Sequence, residues 1–246
     1  MATREEMMAR ITVALGGSPG NRLGRPQLDP SRFPELGQVM PSIGPEELIP
    51  KFMSEFERVS TKVWRARNFA DLDAILADLV KGATAGSAVI SRNPLLKKVN
   101  LADRLKTLGV NALVWPESAV SPEAERLFRE GCFAAPIGFT GADFALAETG
   151  SLVVSSLTEG AQLASLAPPV HVALVLESQV VASLEEALAG IAISRDSQSP
   201  SPGRSVVFIT GTSRTADIEQ IVVRGVHGPQ QVHAILIEDA CLAQPS

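Results

Sequence analysis

The chain has no tyrosine, and aromatic residues make up only 4% of its 246 positions. With so few rings, the core must be filled mainly by Val, Ile, Leu and Ala. Those side chains suit a parallel sheet flanked by helices. Cysteine is nearly absent. Cys132 and Cys241 form neither a metal-ligand spacing nor a disulfide framework, which favours a reducing compartment. The three histidines, His171, His227 and His233, are too widely spaced for a recognised zinc motif. No stretch approaches the roughly 18 uninterrupted apolar residues of a membrane span. The opening MATREEMMARITVAL carries acids early and lacks the apolar centre of a secretion signal, so a soluble cytoplasmic protein is expected. Net charge is -5, no basic run occurs, and aromatics do not interleave with Lys or Arg. Nucleic-acid binding is therefore unsupported. A Walker lysine context and a G-x-S-x-G elbow are both missing.

What is present reads as alternating helices and strands. Thr3 to Leu15 has a rough apolar stripe of Met7, Met8, Ile11 and Leu15 and is expected to be an amphipathic helix. Gly16 to Pro45 is rich in Gly, Pro, Arg and Asp and reads as an arm. This predicts three parts: a helix and arm over 1–45, an α/β domain over 46–240 and a tail over 241–246. Within the domain, Leu48, Phe52, Phe56 and Val59 recur at helical spacing. Strands are predicted over TKVWRA, SAVIS, NALVWP, VHVALVL, SVVFIT (as a buried strand) and QVHAILIED. Helices are predicted after Asn68, over 95–108, from Ser121 to about Gly131, and from Ser183 to about Gly190. Residues 193–204 read as a surface loop and ACLAQPS as a loose tail. The alternation implies right-handed strand–helix–strand units on a largely parallel sheet.

The rhythm breaks at GFTGADFALAETGSLVVSS. FALAE and SLVVSS, joined by Thr149-Gly150, read as a hairpin that would bring Asp143, Glu148 and Ser155 or Ser156 near one strand end. Glu148 ends an apolar run, so partial burial would suit it as acid, base or nucleophile. A structural carboxylate closing the turn onto backbone amides is the equal alternative. Asp143 is a second catalytic candidate, or an ordinary turn residue. Gly211 to Glu219 reads as an anion loop, with hydroxyls on Thr212, Ser213 and Thr215 and a fork donor on Arg214. Asp217 and Glu219 would either orient Arg214 or compete with the ligand. The alternative for Arg214 is a structural salt bridge. His227, between glycines in a turn, reads as a ligand or solvent contact. His171 and His233 lie in predicted strands and read as satisfied core residues or ligand contacts.

Three blocks together resemble the lactate-utilisation domain family: GFTGADFALAETGSLVVSS, LASLAPPVHVALV, and FITGTSRTADIEQ with GVHGPQQVHAILIED. The resemblance covers about Thr61 to Asp239 and is nearest to the single-domain C-type subunits of bacterial lactate-utilisation systems. It implies a three-layer α/β/α fold with a mixed, mostly parallel sheet, related to the sugar-phosphate isomerase and coenzyme A transferase superfamily. It also implies a part in converting L-lactate to pyruvate, with a cysteine-rich subunit and an iron–sulfur subunit as partners. The chain lacks cluster cysteines, so no cofactor is expected on it and the clusters are expected only on a partner. The resemblance carries over to Asp143, Glu148, Thr149, Gly150, His171, Ser213, Arg214, Thr215, Asp217, His227 and Gly228 as residues around a small organic anion. One departure stands out. The loop Leu157 to Gln162 lacks the expected Gly- and Asn-rich character. Glu159 and Gln162 there are expected either to weaken an anion pocket or to mark a loop outside the chemistry. A stand-alone isomerase, transferase or cyclo-ligase acting on a phosphorylated or acyl substrate, and a non-catalytic scaffold, remain the alternatives.

Overall fold

Six short strands, mostly apolar, form one parallel sheet. They are β1 (Lys62–Ala66), β2 (Ser87–Ile90), β3 (Asn111–Val114), β4 (Ile137–Gly141), β7 (Val170–Leu176) and β12 (Gln231–Ile237), in the order β1-β12-β7-β4-β2-β3. The computed structural model describes residues 3, 4, 6, 7, 10, 42–116, 121–198, 205–215, 223–225 and 227–243. For 192–198, 214, 215, 223, 224 and 243 the description stops at the backbone. Residues from Ile43 onward form one compact unit.

Both faces of the sheet are covered, which explains why β7 and β12 are apolar without alternation. On one face lie α2 (Phe69–Gly82), α3 (Pro94–Lys98) and α4 (Leu101–Thr107). Their Leu72, Leu76, Leu95 and Leu105 pack on Ile90, Phe139, Leu174 and Ile235. On the other face, α1 (Leu48–Arg58) brings Phe52 and Phe56, one turn apart, onto Ala173, Val175, Ala234 and Leu236. Complete burial of each such side chain contributes about 1.5–3 kcal/mol. Beside it, α5 (Pro122–Ala134) sets Phe128 and Cys132 on Val89. The same layer contains a four-stranded sheet of β5 (Phe144–Leu146), β6 (Ser151–Ser155), β8 (Val180–Val181) and β9 (Val206–Ile209), ordered β8-β5-β6-β9. The expected three layers are therefore present. The mixed character is divided between sheets: the main one is wholly parallel, and antiparallel pairs lie in the four-stranded sheet and in a separate two-stranded ribbon.

Local signals fix the helix starts. Asn68 Oδ1 accepts from Asp71 N at 2.9 Å, Asn93 Oδ1 from Leu95 N at 2.9 Å, and Ser121 Oγ from Ala124 N at 3.1 Å. Each satisfies a backbone donor that the helix leaves free. Thr3 and Glu6 make the same reciprocal cap at the chain start, where Arg4, Glu6, Met7 and Arg10 are helical and Met7 is exposed. Met8, Ile11 and Leu15 of the expected stripe lie outside the described residues.

Several local expectations are corrected. The single helix expected over 95–108 is two, because Asn100 takes the left-handed conformation (φ 51°, ψ 42°). The helix from Ser121 runs on to Ala134, and the one after Ser183, α7 (Leu184–Gln198), passes straight through Gly190. The interior of neither helix contains a proline, and one glycine weakens a helix by only about 1 kcal/mol. Residues 193–198, expected in a loop, belong to α7. SVVFIT is not a buried central strand but an edge strand, β9, with Phe208 exposed. The tail is not loose throughout: a 3-10 turn over Asp239–Ala243 places Cys241 in the core.

The topology has one switch point. After β2 the chain crosses through α3 and α4 to β3 on one side, whereas after β4 it continues to β7 and β12 on the other. Adjacent strands whose connections leave in opposite directions open a crevice at their carboxyl ends, where ligands of open α/β sheets bind.

Candidate active site at the switch point

A buried carboxylate occupies that crevice. Glu159 ends α6, the single helical turn Ser156–Glu159 that follows β6, and it is wholly inaccessible to solvent. Ser91 Oγ and Asn93 Nδ2, from the segment that leaves β2, donate to Oε2 and Oε1 respectively. Gly141 N, at the end of β4, donates to Oε2 at 3.1 Å, and Thr158 Oγ1 to Oε1 at 3.4 Å. Gly141 has to be a glycine, because a Cβ there would stand 2.2 Å from the Asn93 side chain. Arg92 N donates to the Glu159 carbonyl at 3.2 Å, so the two segments are tied by main chain as well.

Asp143 is the second acid of this cluster. Its Oδ2 accepts from Ser155 N at 2.8 Å, and its carboxyl is also hydrogen-bonded by the Ser155 and Thr158 side chains. The Thr158 hydroxyl thus stands between the two carboxyls. Burial pushes Asp143 above its ordinary range, against those hydrogen bonds. Burial also pushes Glu159 up, to about 7; the Asp143 charge adds to this, and the bonds from Ser91, Asn93 and Gly141 oppose it. A carboxyl poised near neutrality can both take and give a proton, as general acid–base chemistry requires. Asp143, though not Glu159, lines a cavity of about 230 Å³ together with Phe144, Ser155, Leu157, Thr158, Gln179 and Ile191.

Glu148 lies elsewhere. The register Phe144↔Val153 and Leu146↔Ser151 puts Asp143 and Ser155 at the open end of the β5/β6 hairpin and Glu148 at its turn. The expectation that all three share one strand end is corrected: the turn and the open end are roughly 10 Å apart, three residues of strand. Glu148 Oε1 accepts from Leu184 N at 2.8 Å, the first residue of α7, and its backbone N donates to Ala182 O at 3.1 Å. It thus meets the amino end of a helix 36 residues on, not the amides of its own turn.

The turn does meet the Gly211 loop. Thr149 Oγ1, Ser151 Oγ and Thr210 Oγ1 form a hydroxyl chain with spacings of 2.8 and 2.5 Å. Gly150, at φ +63°, sits against the backbone of Phe56 on α1, and Gly211, at φ +90°, against Val59, the residue that follows α1. The loop leaves the edge strand β9, not the carboxyl end of a parallel strand. It then forms a two-stranded ribbon, β10 (Arg214–Thr215) with β11 (Val223–Arg224). Ser213 Oγ accepts from the backbone N of His227 at 3.4 Å, and Gly228 faces Ser213, so these three sequence candidates are brought together. The side chains of Arg214 and Thr215, and all of Asp217, lie outside the described residues.

His171 is fully buried between β4 and β12, with Nε2 2.8 Å from Thr140 Oγ1, and burial lowers it to about 3. It is a neutral core histidine. His233 accepts from Trp64 Nε1 at Nδ1, at 3.4 Å, leaving Nε2 to donate to Gln231 Oε1 at 3.3 Å. Among the described residues no three His, Cys, Asp or Glu side chains converge as a metal-ligand set, and no helix is long and apolar enough to cross a membrane.

Sequence reasoning missed Ser91, Asn93, Thr158 and Glu159. Two signals pointed to them. One is the polar S-R-N-P exit from the buried SAVI strand. The other is an acid immediately before Gly160 in the connection leaving β6.

Comparison with known proteins agrees with this architecture. A crystal structure of a DUF162 family protein from Deinococcus radiodurans superposes with a TM-score of 0.56 at 21% identity, over 80% of this chain and 99% of that one, and shows the same fold. Two curated relatives are each named lactate utilization protein C. The protein from Anoxybacillus flavithermus is 28% identical over 96% of this chain and 99% of its own. The one from an Exiguobacterium species is 29% identical over 97% of both chains. The LUD domain model matches residues 49–237, from α1 to the last residue of β12, and the chain belongs to the LUD domain family.

Proposed function

We propose that this chain is a non-cluster subunit of a cytoplasmic complex that oxidises L-lactate to pyruvate, and that it binds a small organic anion. The observation that carries this reading is the end-to-end correspondence with proteins named for lactate utilization. They match over 96% or more of this chain and leave little of their own length unmatched. In this reading the cysteine-rich and iron–sulfur subunits are separate chains that hold the clusters and carry the electrons away. The acid pair Asp143 and Glu159, rather than Glu148, serves the reacting acid, with Glu159 as the group that exchanges a proton near neutrality. The test is lactate oxidation by the complex recovered from its native cell, with and without this chain. Loss of turnover or assembly on omission is expected; unchanged assembly and turnover contradict the reading.

A second reading has one specific observation in its favour. A cavity of about 230 Å³ lined by Asp143, with the buried Glu159 close to that acid, also suits a stand-alone acid–base enzyme of the isomerase, transferase or cyclo-ligase type. Calorimetry of the isolated chain with phosphosugars, acyl-coenzyme A compounds and folates separates the two. Binding of any of these classes supports the second reading, and no binding by all three removes it.

A further inference from the structure

One donor at the carboxyl edge of the parallel sheet lacks an acceptor among the described residues, and a second beside it meets only a carbonyl. Trp115 directly follows β3, and its backbone N continues the ladder by donating to Ile90 O at 2.8 Å. Its ring stands edge-on to Phe128, with centroids 4.9 Å apart and planes at 82°, so the indole is fixed. The Nε1–H is buried and has no acceptor among the described residues. A buried donor left unpaired marks a place where an acceptor belongs.

Arg92 supplies the second donor. It follows β2 by two residues and is half-buried. Its Nη2 donates to the Leu157 carbonyl at 3.3 Å, and its guanidinium meets no carboxylate among the described residues. The two side chains converge over Gly160. A Cβ on that glycine would stand 2.4 Å from Trp115 Nε1 and 3.0 Å from Arg92 Cδ. Gly160 has φ 73° and ψ -73°, and its missing side chain leaves a notch that the indole edge and the Arg92 stem enter. Glu159, the buried acid, is the preceding residue.

We propose that Arg92 and the Trp115 indole N–H together hold the carboxylate of a small monoanion over Gly160, beside Glu159. A guanidinium matches a carboxylate in fork geometry. One guanidinium supplies one positive charge, and two acids stand nearby, so a dianion such as phosphate is repelled where a monocarboxylate is held. The inference deepens the lactate reading, from which it takes its probes. It moves the anion anchor from Arg214 to Arg92.

Isothermal titration of the purified full chain, with pyruvate, L-lactate and inorganic phosphate as separate arms, tests it. Pyruvate or L-lactate is expected to bind, and phosphate more weakly. Arg92→Gln is expected to weaken carboxylate binding at least about tenfold. Trp115→Phe keeps the ring stack and removes only the orphaned N–H. It is expected to weaken binding several-fold while leaving the melting temperature equal or higher, an outcome that a merely structural tryptophan would not give. Arg126→Gln, on the exposed face of α5, serves as the unaffected control. The proposal is overturned if both site variants bind carboxylates like the parent chain, if phosphate binds best, or if no probe binds at tens of millimolar. A complex that needs this chain for lactate oxidation while the notch binds nothing would sink the inference and leave the lactate reading standing.

Discussion

The two ends of the β5/β6 hairpin carry the same kinds of residues and are built for different purposes. At the turn, Glu148 is partly exposed and spends its carboxylate on the amino end of α7, while Thr149, Ser151 and Thr210 close on one another. At the open end, Glu159 is withdrawn from solvent at the switch point of the main sheet and bonded by Thr158, while the partly buried Asp143 accepts from Ser155 N and lines a cavity. The difference is one of burial and supply. Exposed carboxylates close to backbone donors make caps. Buried carboxylates held by Ser, Asn and Thr, without a cation, acquire raised pKa values and become able to move protons.

Substitutions can sharpen that comparison, beginning with the largest expected effect. Gly150→Ala forces a side chain into the left-handed region, with its Cβ 2.3 Å from the Phe56 backbone N. A loss of at least about 3 kcal/mol in urea unfolding is expected, so the turn matters for stability even though it lacks the chemistry. Glu159→Ala strips the acceptor from Ser91, Asn93 and Gly141 N at once, and roughly 3 kcal/mol of stability should go with it.

The pH dependence isolates the open end. The Glu159 carboxyl is raised from 4.5 to about 7, so between those pH values the folded chain holds a proton that the unfolded chain has released. Its contribution to stability is therefore complete below about pH 4.5 and declines as pH rises to about 7, by on the order of 3 kcal/mol. His171 and His233, lowered to about 3 and about 4 by burial, act oppositely: their stability is present above the ordinary 6.5 and lost as pH falls through 4 and 3. They cancel in a difference curve. Unfolding free energy of the parent chain minus that of Glu159→Gln should fall from pH 4.5 to 7; a flat difference would show that burial has not shifted this acid. Smallest of all, Glu148→Ala should cost about 1 kcal/mol, the usual value of a helix cap, and Glu148→Gln less, because the amide oxygen still accepts from Leu184 N.

Much of the scaffold was legible in the sequence because its determinants are local. Asn68, Asn93-Pro94 and Ser121-Pro122 start helices through hydrogen bonds two or three residues long, and each strand of the main sheet is a short, mostly apolar run between turn residues. The hairpin through Thr149-Gly150 was legible for the same reason. Glu159 was not. Its donors come from Ser91 and Asn93, 68 and 66 residues earlier, and the strand order that brings β2 beside β4 is a long-range fact. From the sequence the residue was only an acid where small residues were expected. Folding likewise brings Arg92 and Trp115, 23 residues apart, to the same glycine, Gly160. Glu148 attracted attention because its local context is the hairpin turn, but the helix end it meets lies 36 residues on.

The most direct measurement is L-lactate turnover by the recovered complex carrying Glu159→Gln or Glu148→Gln in this chain, with assembly checked by copurification. Loss of turnover by at least about tenfold for Glu159→Gln, with Glu148→Gln close to the parent, is the expected result for a proton-exchanging group at the switch point. Full turnover with Glu159→Gln and loss with Glu148→Gln would contradict it and return the chemistry to the hairpin turn.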